Sequence, residues 1–93
     1  MTRDDVVDYL YDCMDKLLSG AKISYIKWDM NRYMTEPFGR QLSADRQGEF
    51  MHRYILGVYK LYDKLTKKFP HVLFESCASG GARFDPGILH YAP

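Results

Sequence analysis

The sequence predicts an α/β fold: a helix–strand–helix–strand slice with two parallel strands, cut from a larger domain. Three observations predict it. Apolar residues recur at helical spacing in two long stretches. Each stretch is followed by a short run rich in β-branched and aromatic residues. The two strand-like runs are joined by a helix-bearing crossover, and strands connected that way lie parallel. Two parallel strands alone leave bare edges and uncovered faces. The 93 residues are therefore expected to form part of a larger α/β domain.

Each element has its own signal. In the first helix Val6, Val7, Leu10, Cys13, Met14, Leu17 and Leu18 keep a helical period. Thr2 is the expected cap, Asp4 and Asp5 suit the positive end of the helix, and Gly20 is the expected stop. Ile23 to Trp28 reads as a strand. Met30 to Leu42, which contains Pro37 and Gly39, reads as a loop. Ser43 is expected to cap a long second helix whose apolar stripe is Phe50, Met51, Tyr54, Ile55, Val58, Leu61, Tyr62 and Leu65. Lys67 and Lys68 suit its negative end, and Pro70 stops it. Val72 to Ser76 is the second strand, and the glycine-rich "CASGGARFDPG" follows it.

Composition excludes several classes. The chain is 46% hydrophobic with a net charge of +1, which gives no electrostatic case for nucleic acid or for an anionic membrane. No apolar run approaches the ~20 residues needed to cross a bilayer. The opening "MTRDDVVDYL" is acidic and polar, unlike a signal peptide. Cys13 and Cys77 are far apart and form no CxxC pair, so both are expected as thiols in a reducing, cytoplasmic setting. His52, His71 and His90 are scattered and read as surface or packing residues.

The stretch "SYIKWDMNR" carries the chemistry. Alternation puts Tyr25, Lys27 and Asp29 on one face, joined by Asn31 if the chain stays extended, with Ser24, Ile26 and Trp28 on the other. Ile26 and Trp28 suit packing against helices. The polar face then reaches the carboxyl end of the strand, where α/β barrels gather their functional groups. A carboxylate beside an ammonium is held ionised, as a nucleophile or metal ligand must be. Lys27 and Asn31 can hydrogen-bond sugar hydroxyls. A salt bridge closing a barrel layer would use the same residues. On the second strand Leu73, Glu75 and Cys77 share a face. Glu75 reads as the partner of a nearby base, Lys27 or Arg83. The "SGGAR" loop could offer N–H groups to a ligand, but it matches neither GxGxxG nor GxxxxGK[ST]. An Arg83–Asp85 pair holding that loop is the simpler expectation.

The motifs "YIKWDMNR" and "RYILGVYKLYDKLTKKFPHVLFESCASGGARFDPG", with the spacing between them, resemble glycoside hydrolase family 36 α-galactosidases over essentially the whole chain. The resemblance implies a partial (β/α)8 TIM barrel, with residues 1–93 around its fourth and fifth strands. It implies retaining hydrolysis of terminal α-galactosyl groups from sugars such as melibiose and raffinose, with no metal or organic cofactor and a homo-oligomeric parent. Carried over by position, it makes Asp29 the catalytic nucleophile. Lys27, Asn31, Cys77 and Gly80 become substrate-binding positions. Trp28 and Met30 fall in the same binding stretch, where alternation has them shape the site more than touch sugar. Gly81 matches the glycine loop, and Ala82 stands where the family usually has a third glycine.

A retaining glycosidase needs a second carboxylate, about 5–5.5 Å from the first. In the resembled family it follows the segment near Pro93, beyond this chain, so the isolated polypeptide is expected to be inactive. A (β/α)8 barrel takes about 250 residues, and two of its eight strands are present. Three alternatives stay open: an α-N-acetylgalactosaminidase, a galactosyltransferase for raffinose-type sugars, and a non-catalytic carbohydrate-binding remnant.

Overall fold

The computed structural model describes residues 1–31, 33–79 and 85–93. Among them run α1 (Asp4–Gly20), β1 (Tyr25–Asp29), α2 (Phe50–Lys68) and β2 (Leu73–Cys77). Short 3-10 turns span Ala44–Glu49 and Ile88–His90. β1 and β2 pair in parallel, from Tyr25 opposite Leu73 to Asp29 opposite Cys77. The ladder extends at both ends. Leu73 N–H donates to the Ser24 carbonyl at 2.9 Å, and Met30 N–H to the Cys77 carbonyl at 3.1 Å. Each strand lies one or two residues later than its β-branched run suggests. These added bonds come from pairing with the neighbour, which a single run cannot reveal.

Both helices pack on one side of the sheet. Val7 and Leu18 from α1 meet Val58, Leu61, Tyr62 and Leu65 from α2, with Phe74 of β2 and Ile88 beyond it. Leu65 is fully buried. Trp28 joins this side, its ring 5.2 Å from Tyr62 and 6.5 Å from Phe74. Tilted ring pairs at these separations add modestly to area burial. Three ion pairs cross between the helices: Lys60–Asp4 at 2.8 Å, Lys64–Asp8 at 2.7 Å and Lys68–Asp15 at 2.6 Å. Their ascending order along both helices shows that α1 and α2 run in the same direction. Lysine stems also cover aromatic surface, with Lys64 Nζ 4.6 Å from the Tyr11 ring. Gly57 lets the N-terminal strand of chain cross α2 closely, because a Cβ there would run into the Met1 carbonyl.

Two capping expectations fail. The residue before α1 is Arg3, and the Thr2 hydroxyl instead accepts from Gln41 Nε2 at 3.0 Å. Ser43 precedes a 3-10 turn, makes no side-chain cap, and the α-helix begins only at Phe50. In both places long polar side chains take over the local bonding. Glu49 accepts from Arg46 and Arg53 at 2.8 and 2.7 Å. Those two guanidiniums hold its carboxyl down to about 2. Met51, counted in the apolar stripe, is exposed.

The opposite face of the sheet is uncovered, with Tyr25 49% and Leu73 56% exposed. Parallel sheets are normally covered on both faces. The isolated 93-residue chain is expected to self-associate through this face and its edges. Light scattering on a size-exclusion peak checks this, and a stable, concentration-independent monomer contradicts it.

Candidate active site

β1 sorts its side chains by alternation. Tyr25, Lys27 and Asp29 are exposed, while Ile26 and Trp28 are half-buried on the helix side. The register sets Lys27 opposite Glu75 and Asp29 opposite Cys77. Residues opposite one another share a face, so the open face carries Lys27, Asp29, Glu75 and Cys77 together. Lys27 Nζ lies 3.4 Å from Glu75 Oε1. The Tyr25 hydroxyl donates to the other oxygen, Oε2. Glu75 therefore has both carboxylate oxygens engaged, and Lys27 keeps further N–H donors for other groups. No described residue hydrogen-bonds the Asp29 carboxylate, which stands exposed at the strand's carboxyl end.

Asn31 follows two residues on. The Met30–Cys77 bond carries the strands together past their formal ends and brings Asn31 to the chain after β2. There the Ser79 hydroxyl donates to Asn31 Oδ1 at 2.5 Å. Met30 turns to the helix side, where the Tyr54 hydroxyl donates to its sulfur at 3.4 Å. A cavity of about 270 Å³ on that side is lined by Leu10, Trp28, Asp29, Met30, Tyr54 and Leu61, among others. Its lining is mainly apolar, so Trp28 and Met30 form the wall behind the polar face.

Gly80, Gly81, Ala82 and Arg83 lie outside the described residues, and so does the expected Arg83–Asp85 pair. Asp85 has other partners. Its Oδ1 accepts from the Tyr59 hydroxyl and from the N–H groups of Gly87 at 2.8 Å and Ile88 at 3.2 Å. This carboxylate ties the exit of the glycine-rich segment to α2. Gly87 permits it, because a Cβ there would strike the Tyr59 hydroxyl. On the other side, Gln47 clamps the loop after β1. It accepts from Gly39 N–H at 2.9 Å and donates to the carbonyls of Gly39 and Leu42 at 2.9 and 2.6 Å.

Neither cysteine is in a disulfide. His52, His71 and His90 are exposed. No helix among the described residues is long and apolar enough to cross a membrane, and no described cluster of three or more His, Cys, Asp or Glu could hold a metal. The contacts of Tyr25, Gln47, Tyr59 and Ser79 escape the sequence reading. Each residue acts on a partner 8 to 50 residues away, and no local pattern marks it.

Fold and site thus define a slice of an α/β barrel, with polar groups collected at the carboxyl ends of two parallel strands. The melibiase family profile matches residues 1–93, and the chain belongs to that family. It is 52% identical over 92 residues to alpha-galactosidase AgaA of Geobacillus stearothermophilus, covering 99% of this chain and 13% of that protein. It is 47% identical over 91 residues to alpha-galactosidase 1 of Pediococcus pentosaceus, covering 98% of this chain and 12% of that protein. The crystal structure of the alpha-galactosidase from Lactobacillus brevis superposes with a TM-score of 0.92 at 59% identity, covering 99% of this chain and 12% of that one. The chain thus spans about an eighth of the length of these relatives. A variant of the Geobacillus enzyme that matches at 52% identity, with a TM-score of 0.91, was crystallised in complex with raffinose.

The Asp85 anchor has a pH signature. The Asp85 carboxylate, accepting from the Tyr59 hydroxyl, pushes that phenol from 10.0 up to about 12. A raised folded pKa means the contact stabilises fully below the unfolded value near 10 and is lost as pH rises toward 12. In a folded protein carrying this segment, the unfolding midpoint should fall between pH 10 and 12 more steeply than in Tyr59→Phe. Parallel pH curves for the two proteins would contradict the anchor.

Proposed function

We propose that this chain is part of the catalytic (β/α)8 barrel of a retaining α-galactosidase, contributing its fourth and fifth strands. The observation that carries the proposal is the shared face: Lys27, Asp29 and Cys77 stand together at the strands' carboxyl ends, with Asn31 just beyond. The relatives' printed activities, and the raffinose complex of one of them, support the substrate class. Asp29 attacks the anomeric carbon and forms a covalent galactosyl-enzyme as the glycosidic bond breaks. A second carboxyl group protonates the departing oxygen. The same group then deprotonates the water that displaces Asp29, so configuration is retained. Lys27, Asn31, Cys77 and Gly80 hold sugar hydroxyls, and Trp28 and Met30 back the site.

Glu75 does not take the acid role. Its two oxygens are occupied by Tyr25 and Lys27. The acid/base belongs to another strand of the parent. Two thiols outside any disulfide accord with a reducing, cytoplasmic location. A homo-oligomeric parent follows from the family resemblance.

In the parent, Asp29→Ala is expected to abolish turnover of an aryl α-galactoside while leaving the fold intact. The unaltered parent should hydrolyse that substrate faster than its N-acetylgalactosamine analogue, and the 93-residue chain alone should hydrolyse neither. Retained turnover in Asp29→Ala removes Asp29 from the nucleophile role. A reversed preference assigns the neighbouring N-acetylgalactosaminidase activity instead.

A further inference from the structure

Ser79 adopts φ 40°, and it is the only described non-glycine residue with positive φ. A side chain in this left-handed region is strained, and glycine takes the same conformation without that cost. Two glycines follow directly in the sequence, at positions 80 and 81. A residue held in such a conformation at a site is a pointer to function when its side chain is used. Here it is used: the Ser79 hydroxyl donates to Asn31 Oδ1. Asn31 is exposed, two residues beyond Asp29.

An asparagine amide has two unlike ends, an acceptor oxygen and a donor NH2. Rotating it by half a turn exchanges them. Either end can meet a sugar hydroxyl, and a serine hydroxyl, itself donor and acceptor, can hold the other. In the structure the Ser79 hydroxyl bonds the Oδ1 end, and this hydrogen bond restrains where the amide sits. The ladder bond from Met30 N–H to the Cys77 carbonyl supplies the rigid backbone that brings the two residues together.

We propose that Ser79 is a positioning residue: its hydrogen bond holds the Asn31 amide in one place, so that the amide's other end meets a galactose hydroxyl. This rests on the α-galactosidase reading above. Ser79 itself need not touch the sugar. The hydroxyl acts through Asn31, and the strained backbone is what aims it.

The test is Ser79→Gly in the full-length parent. Glycine relieves the backbone while deleting the hydroxyl, so structure and positioning move in opposite directions. The expected result is an unfolding midpoint unchanged or raised, with KM for an aryl α-galactoside up about tenfold and kcat changed less, the scale of one lost hydrogen bond to substrate. In an Asn31→Ala background, Ser79→Gly should cause no further change in KM, because the group it orients is gone. Unchanged KM in the single variant overturns the proposal, as does an equal effect in both backgrounds. A lowered midpoint that accounts for the lost activity assigns Ser79 a structural role and overturns it too. The underlying reading fails separately: an unaltered parent without turnover, or an active Asp29→Ala, overturns that reading and this inference with it.

Discussion

The parallel register of β1 on β2 is the constraint on which everything else depends. Side chains alternate with a period of two, so a slip of one residue would exchange the two faces of either strand. Trp28 and Phe74 would turn to the open side, and Lys27 or Glu75 would enter the aromatic core. Packing forbids this. Trp28 and Phe74 both contact Tyr62, with Trp28 tilted toward it and Phe74 edge-on. Burying an unpaired ammonium or carboxylate among these rings would cost far more than any pairing gained. The apolar face thus fixes the register, and the register in turn composes the polar face. Lys27 meets Glu75 and Asp29 meets Cys77 because the other side of the sheet leaves no alternative.

The charges outside this face have a different role. The three lysine–aspartate pairs between α1 and α2 are exposed to half-exposed, and such pairs contribute little to stability. They order the two helices more than they stabilise them. Stability resides in Val7, Leu61, Tyr62, Leu65 and Ile88, whose side chains are almost wholly out of water. Where a charge has a structural consequence here, it is because it accepts from several donors at once. Asp85 gathers a phenol and two backbone N–H groups, and Glu49 gathers two guanidiniums.

Much of this was legible in the sequence. Helical spacing located both helices, and alternation along "YIKWD" separated Lys27 and Asp29 from Ile26 and Trp28. The pairing of Glu75 with a base was expected, and Lys27 is that base. What escaped was long-range. Tyr25 looks like a strand aromatic, and only the register brings its hydroxyl to Glu75. Gln47 looks like a solvated helix residue, yet its amide closes the loop from Gly39 to Leu42. Ser79 looks like a loop serine, and its backbone angle cannot be inferred from the letters around it. The cap errors have the same origin: Thr2 and Ser43 have the right chemistry, but capping is decided by where the chain enters. Arg3 and the 3-10 turn at Ala44–Glu49 change that entry.

The two faces of one sheet explain why a short segment holds so much of the proposed site. A nucleophile must be placed to within a fraction of an ångström, and loops achieve that less well than strands. Here the proposed nucleophile and the proposed sugar-binding lysine are on the strand itself, backed by a packed aromatic layer. Asn31 and Ser79 sit just past the strand ends, where the ladder still ties the backbones together. Beyond that point rigidity must come from side chains: the Ser79 hydroxyl on Asn31, Tyr59 on Asp85, Gln47 on Gly39. Each tether lies at one of the loops that leave or re-enter this short stretch of fold. The sheet thus supplies the position of the proposed reacting group, and these three contacts extend its precision beyond the strand ends.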